Sequence, residues 1–323
     1  MGVKEEVLRT LRAASDEYIS GQALADRLHV SRHAVWKAID KLRADGYEIE
    51  ARTKCGYRLL ATGDKLSAEG VAAFLEPEAP FRLEYHDVVD STNIRARDLA
   101  EAGAPAWTVV LADSQSAGRG RLGRDFYSPQ ASGIYMSIIV RPDCSAQDAN
   151  LLTIAAAAAV AESIELVCDV RVGIKWVNDC FVDGRKVSGI LTEAAVGVEE
   201  QCLRYAVVGI GINVAPPPGG FPEGLENIAA SIYTQPPESE VRNRLAAEVL
   251  RRYRPYAEAL TLRAYFPSYR ERLFVVGRDV TLVRGKEREE VHVQALADDG
   301  SLVVRDAAGH TRHVASGEVS LRF

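Results

Sequence analysis

In the N-terminal part of the chain, apolar residues recur at helical spacing. Val3 to Ala14 makes a short amphipathic pattern, and Ser20 stands at an N-cap position before a second helix that runs through Gln22 to Leu28. His29-Val30 forms a turn. Ser31 caps a third helix, on which Val35, Ile39 and Leu42 line one buried face and which Asp45-Gly46 ends. Residues 47–60 then alternate apolar and polar around Thr53-Lys54-Cys55-Gly56, the pattern of a two-stranded hairpin. Two helices across a short turn, followed by such a wing, predict a winged helix-turn-helix whose later helix can enter a major groove. Ser31, Arg32, His33, Trp36 and Lys37 lie off the buried face and are the candidate DNA contacts, because phosphates and guanine edges are met by such groups. A small helical dimerisation or adaptor module is the alternative use of this head.

After Ala61-Thr62-Gly63-Asp64 the pattern changes to mixed helices and strands. Strands are expected at residues 108–112, 134–140, 189–193 and 205–214, and helices at residues 91–102, 150–166 and 240–260. From Val276 the chain becomes short strands near residues 280–283, 291–296, 302–304, 311–314 and 319–321, with Asp298-Asp299-Gly300 and Ala308-Gly309 as turns. This predicts an α+β chain of three parts: a head over residues 1–63, a mixed central domain over 64–272 and a small all-β barrel over 273–323.

With 323 residues, 47% hydrophobic and 26% charged, the chain can bury more than one core, and disorder is excluded as its general state. The net charge of -6 is uneven: the head holds 11 Lys/Arg against 9 Asp/Glu, so any nucleic-acid contact is expected there. Two acids follow Val3-Lys4 where a secretory signal needs an apolar stretch, and the longest apolar run, Leu151 to Ala161, reads as a buried helix. A cytoplasmic protein without membrane contact is expected. Five scattered cysteines without a C-x-x-C pair read as free thiols and give no structural metal site.

The richest chemistry lies in Gly118-Arg119-Gly120-Arg121-Leu122-Gly123-Arg124. It matches G-x-G-x-x-G in form, but Asp125-Phe126-Tyr127-Ser128-Pro129 follows where a dinucleotide fold needs a helix. Glycines alternating with arginines instead describe a mobile cationic loop that folds over an anion. Lys175-Trp176-Val177-Asn178-Asp179 and residues 185–191 predict two strands joined at Asp183-Gly184, with Lys186 placed to reach an anion. Asp90-Ser91-Thr92-Asn93 offers helix caps or neutral hydrogen bonds to a polar ligand. Gly209-x-Gly211-x-Asn213 is a strand whose glycines admit a close neighbour.

These segments, with Gln115 and Ser188-Gly189-Ile190-Leu191, resemble the biotin-protein ligases in order and spacing, and the head and terminal strands resemble the bifunctional members that also act as biotin operon repressors. The resemblance implies a central ligase fold related to class II aminoacyl-tRNA synthetases and a C-terminal SH3-like barrel. It implies that Ser91, Thr92, Asn93, Gln115, Arg119, Gly120, Arg121 and Lys186 surround biotin and its adenylate, with Arg119, Arg121 and Lys186 serving catalysis. Asn178, Asp179 and Asn213 are similar to nucleotide-side positions, and Glu318 and Arg322 to barrel positions that approach the site. Two positions depart from the family pattern: Val177 stands where proline is usual, and Leu122 where arginine is frequent. The implied cofactors are ATP, biotin and Mg²⁺; the implied partners are a biotin carboxyl carrier protein of acetyl-CoA carboxylase or a related carboxylase, operator DNA, and a second copy in a ligand-promoted homodimer. A lipoate-protein ligase and a ligand-sensing regulator without catalysis are the competing readings.

Overall fold

The computed structural model describes residues 2–14, 17–44, 47–60, 64–145, 148–197, 202–285, 287–315 and 317–320. Asp45-Gly46, expected to end the third helix, residues 61–63 of the expected junction, and Arg322 lie outside the described residues.

The head contains α1 (Val3–Ala13), α2 (Gly21–Arg27), α3 (Arg32–Ala44), β1 (Ile49–Arg52) and β2 (Gly56–Leu59). Ser20 Oγ accepts from Ala23 N at 3.0 Å and Ser31 Oγ from Ala34 N at 3.1 Å, so both predicted caps are made. Between α2 and α3, His29 turns the chain at φ 53. Val7, Leu8 and Leu11 of α1 meet Leu24, Val35, Ile39 and Leu42 in a core of their own. The antiparallel wing gains a third edge where Ile19 and Tyr57 exchange two backbone hydrogen bonds of 2.9 Å. Gly56 is required here: its φ is +113, and a Cβ would lie 2.1 Å from the Ile19 carbonyl oxygen.

The chain continues through α4 (Ala68–Ala72), β3 (Arg82–Val89), α5 (Thr92–Glu101), β4 (Thr108–Gln115), β5 (Gly133–Val140), α6 (Ala149–Cys168), β6 (Gly173–Lys175), β7 (Asp179–Val182), β8 (Arg185–Val196), β9 (Leu203–Asn213), α7 (Val241–Glu258) and α8 (Phe266–Arg272). The sheet order is β3-β4-β5-β9-β8-β7-β6; β3 and β4 are parallel across α5, and every other pair is antiparallel. Alternation separates its two faces. Val109, Leu111, Met136, Ile138, Val208 and Ile210 face the large core beneath α6 and α7, whereas Val110, Ile139 and Val207 meet Ala96 and Ala100 of α5. Helix α6 is long and apolar enough to cross a bilayer by length and composition, and 72% of its apolar window is buried inside the protein. Its Ala-rich run is a core surface.

The C-terminal part holds β10 (Asp279–Arg284), β11 (Glu287–Leu296), β12 (Leu302–Asp306), β13 (Thr311–Val314) and β14 (Glu318–Ser320), an antiparallel sheet in the order β13-β12-β11-β10-β14. Its core is continuous with that of the central part. Trp176 Nε1 donates to Gly300 O at 3.0 Å, which locks the two together at a buried hydrogen bond.

The head is also fastened to the central part. Arg9 donates to Ala72 O and Leu75 O, Arg12 pairs with Glu240, and Tyr47 and Ser67 share a 2.8 Å hydroxyl contact. Behind them the buried Arg242 pairs with Asp113 at 2.6 Å and with Asp64 at 3.2 Å.

Candidate active site

One cavity opens on the α5 face of the central sheet, at the end where Val207 gives way to Gly209 and Gly211. Register explains the hollow: Ser137, Gly209 and Leu191 lie abreast across three strands, and Tyr135, Gly211 and Gly189 abreast in the next row. Three glycines therefore stand where side chains would fill the space, and Gly189, Gly209 and Gly211 all line it. The expected close neighbours of these glycines are other parts of the protein. A Cβ on Gly209 would lie 2.0 Å from Asn93 Oδ1, and one on Gly211 2.4 Å from the Phe126 ring.

The N-terminus of α5 forms one wall. Ser91 is the N-cap by position but makes no capping bond; Gln115, reaching across from β4, accepts from Thr92 N at 2.8 Å and Thr92 Oγ1 at 3.1 Å instead. The far side of Gln115 donates to Ser128 Oγ at 2.8 Å. Asn93 donates to Glu193 Oε2 at 2.7 Å and accepts from Ser137 Oγ at 2.7 Å. Thus the four neutral groups predicted from the sequence converge, with their amides oriented by buried partners.

The glycine-arginine segment lies over this wall as a small hairpin. Gly120 N donates to Arg124 O at 2.7 Å and Phe126 N to Gly118 O at 2.9 Å, while Leu122 and Gly123 turn the tip at φ 57 and 74. No α-helix follows it, in keeping with the rejection of a dinucleotide-binding turn. Arg121 donates to Asn178 Oδ1 at 2.8 Å and to Gly317 O at 3.3 Å, and Arg119 lies 3.4 Å from Glu193. Opposite, the predicted turn at Asp183-Gly184 is made with φ 49 and 76, and it carries Lys186 to within 2.7 Å of Asp179, which also lies 3.8 Å from Lys175. The Trp176–Val177 peptide is cis, and Val177 O accepts from the buried Tyr269 hydroxyl at 3.0 Å.

All eight residues expected around biotin line this one cavity, as do Asn178 and Asp179. Asn213 does not; its amide is spent on Ala230 O at 3.1 Å, tying down the segment that follows β9. Glu318 begins β14 beside Gly317, whose carbonyl receives Arg121. Sequence reasoning passed over Phe126 and Glu193. Phe126 stands two residues past the end of the glycine segment, and Glu193 shares its strand face with Gly189 and Leu191, two signals that were available. Among the described residues no group of three or more His, Cys, Asp or Glu is arranged to hold a metal ion.

On the head, Ser31, Arg32, His33, Trp36 and Lys37 are all exposed, and Trp36 stacks on His33 at 5.7 Å while remaining 49% exposed. The Ser31 hydroxyl is engaged as the cap of α3.

Comparison with known proteins bears on both regions. Residues 3–58 match a helix-turn-helix domain model, residues 85–213 the biotin/lipoate A/B protein ligase family, and residues 275–322 the biotin protein ligase C-terminal domain. The chain is 41% identical over 259 residues to the bifunctional ligase/repressor BirA of Bacillus subtilis, covering 79% of each chain. It is 32% identical over 245 residues to the biotin–[acetyl-CoA-carboxylase] ligase of Mycobacterium tuberculosis, covering 72% of this chain and 87% of the relative. The solved biotin protein ligase of Aquifex aeolicus in complex with biotin and ATP superposes with a TM-score of 0.59 at 26% identity, over 75% of this chain and 98% of that one.

Proposed function

The chain belongs to the biotin-protein ligase family, among its bifunctional ligase/repressors, and from that premise we propose how its parts divide the work. It is an AMP-forming ligase that joins biotin to ATP and passes the biotinyl group to a lysine of a biotin carboxyl carrier protein, and its head represses transcription from operator DNA. The observation that carries this reading is the cavity itself: neutral hydrogen-bonding groups on one wall, and Arg119, Arg121 and Lys186 on the others, over a floor of glycines.

The chemistry follows from that division. Ser91, Thr92, Asn93 and Gln115 suit the ureido end of biotin, whose carbonyl accepts and whose N–H groups donate. The carboxylate then points toward the cations, where it meets the α-phosphate of ATP. Two anions must approach, and charge grows at phosphorus as pyrophosphate leaves. Arg119, Arg121 and Lys186 offset that charge, and Asp179 keeps Lys186 aimed. No protein nucleophile is needed, since the lysine amine of the carrier attacks the mixed anhydride and AMP departs. Asn178, Asp179, Asn213, Glu318 and Arg322 are assigned to the nucleotide side; for Asn213 this requires its amide to leave Ala230 or to act through the segment it holds. Asp179 is the cavity carboxylate that would hold Mg²⁺ brought by the phosphates of ATP, once Lys175 and Lys186 turn from it to substrate oxygens, and the ion would supply further offset of phosphate charge.

Residues 1–63, 64–272 and 273–323 are assigned as head, catalytic and C-terminal domains. The protein works in the cytoplasm, and the adenylate promotes a homodimer whose two heads grip a palindromic operator. Biotin-dependent release of pyrophosphate from ATP tests the enzyme, and footprinting of operator DNA with and without biotin plus ATP tests the coupling. The reading predicts release with biotin and none with lipoate, and protection of DNA that deepens with both ligands. Release with lipoate alone would assign the chain to the other branch of its family model.

A further inference from the structure

Glu193 does not line the cavity, yet it touches two residues that do. Its Oε2 accepts from Asn93 Nδ2 at 2.7 Å, and its Oε1 lies 3.4 Å from an Arg119 guanidinium nitrogen. We propose that Glu193 is a positioning residue for biotin adenylation: one oxygen sets the sense of the hydrogen-bond chain in the biotin wall, and the other anchors the stem of the glycine-arginine hairpin. The inference rests on the ligase reading.

A carboxylate only accepts, so the Asn93 amide must turn its NH₂ toward Glu193 and its oxygen toward Ser137. That oxygen also only accepts, which obliges the Ser137 hydroxyl to donate to it at 2.7 Å. Ser137 Oγ is also aimed as a donor at Thr92 Oγ1, 2.8 Å away, so its one proton serves one of the two acceptors at a time and a well-oriented Asn93 oxygen competes for it. Thr92 Oγ1 in turn donates to Gln115 Oε1 at 3.1 Å, which also accepts from Thr92 N. Leu191 O takes the same Asn93 Nδ2 at 3.3 Å, so Glu193 is the nearer and the charged one of two acceptors that set the sense of the Asn93 amide and, through its oxygen, of Ser137, groups a ureido ring would meet. Removing the carboxylate leaves the Asn93 amide on the longer bond to Leu191 O and loosens the hold on its orientation. Asn93 cannot escape by moving, since it is packed on Gly209.

The two roles separate by substitution. In Glu193→Gln the side-chain carbonyl can still accept from Asn93, but the charge facing Arg119 is gone. Glu193→Ala removes both. The experiment measures biotin KM and kcat by biotin-dependent ATP–pyrophosphate exchange in the full chain, together with the dissociation rate of preformed adenylate. In Glu193→Ala the biotin KM rises about tenfold, the effect of one lost charged hydrogen bond, while kcat changes far less. Glu193→Gln restores biotin KM to about the wild-type value, yet it releases adenylate several-fold faster than wild type. Wild-type KM and off-rate in Glu193→Ala would overturn the proposal, as would a Glu193→Gln protein whose KM is as poor as that of Glu193→Ala. A wild-type chain with no biotin-dependent exchange would sink the ligase reading, and this inference with it, whereas an active wild type with indifferent variants would sink this inference alone.

Discussion

Lys186 and Asp179 face one another at 2.7 Å on the cavity wall, and Arg121 is held between Asn178 and the Gly317 carbonyl. Each cation thus waits on a protein acceptor and can exchange it for substrate oxygen without crossing the site. Replacing Lys186 by Ala should lower kcat for adenylation by roughly 10²-fold, the loss attached to one preorganised donor of a charge-developing step; pyrophosphate release under saturating substrates measures it, and a rate within a factor of about two would remove Lys186 from the chemistry. Replacing Arg121 by Gly should loosen the hairpin instead. The adenylate then dissociates faster and stray lysines become labelled, and an unchanged off-rate would contradict that role.

At the scale of elements, the sequence was readable wherever one face of an element is buried and the other is wet. The three head helices, the wing and α7 follow from that contrast, whereas α6 and the central strands β4, β5 and β9, buried on both sides, show instead as apolar runs. β3 escaped because it is an edge strand whose residues Arg82–Val89 are exposed or half-buried throughout, so no apolar alternation marks it. The glycines of β9 announced a close approach, but only the register shows that Asn93 and Phe126 are what approaches. The strand alternation puts Glu193 on the face of Gly189 and Leu191, but its partners come from α5 and the glycine hairpin, far away along the chain, and only the fold shows them. Gly209→Ala should accordingly weaken biotin binding more than it weakens the fold, since its Cβ collides with Asn93 Oδ1 at the wall; calorimetric titration with biotin, set beside a thermal melt, separates the two. Ser31→Ala removes the cap of α3 and should cost about 1 kcal/mol of stability in the head, read from its urea unfolding.

At the scale of the whole molecule, head and catalytic part are joined by buried charge as well as by apolar contact. Arg242 holds Asp64, at the head's exit, and Asp113, two residues before Gln115 on β4, so the junction and the biotin wall share one rigid strand. Burial raises the Asp64 carboxyl to about 6 against the opposing pull of Arg242. A folded value above the unfolded one means that this group adds stability below about pH 4 and loses that contribution as the pH rises through about 6. The urea midpoint of the wild type should therefore fall between pH 5 and 7.5 by more than that of Asp64→Asn; parallel curves would show that Asp64 does not titrate in the folded junction. Trp36→Ala and Lys37→Ala on the exposed face of α3 should weaken operator binding while leaving pyrophosphate release unchanged.

One cavity, on this reading, both forms an activated biotin and delivers it to a lysine. Incubating the full chain with biotin, MgATP and a biotin carboxyl carrier domain, then weighing the carrier by mass spectrometry, tests that claim most directly. The carrier should gain the mass of one biotinyl group, a gain abolished when the acceptor lysine is replaced by arginine; a carrier of unchanged mass in the presence of all three would mean that the cavity does not carry out this transfer.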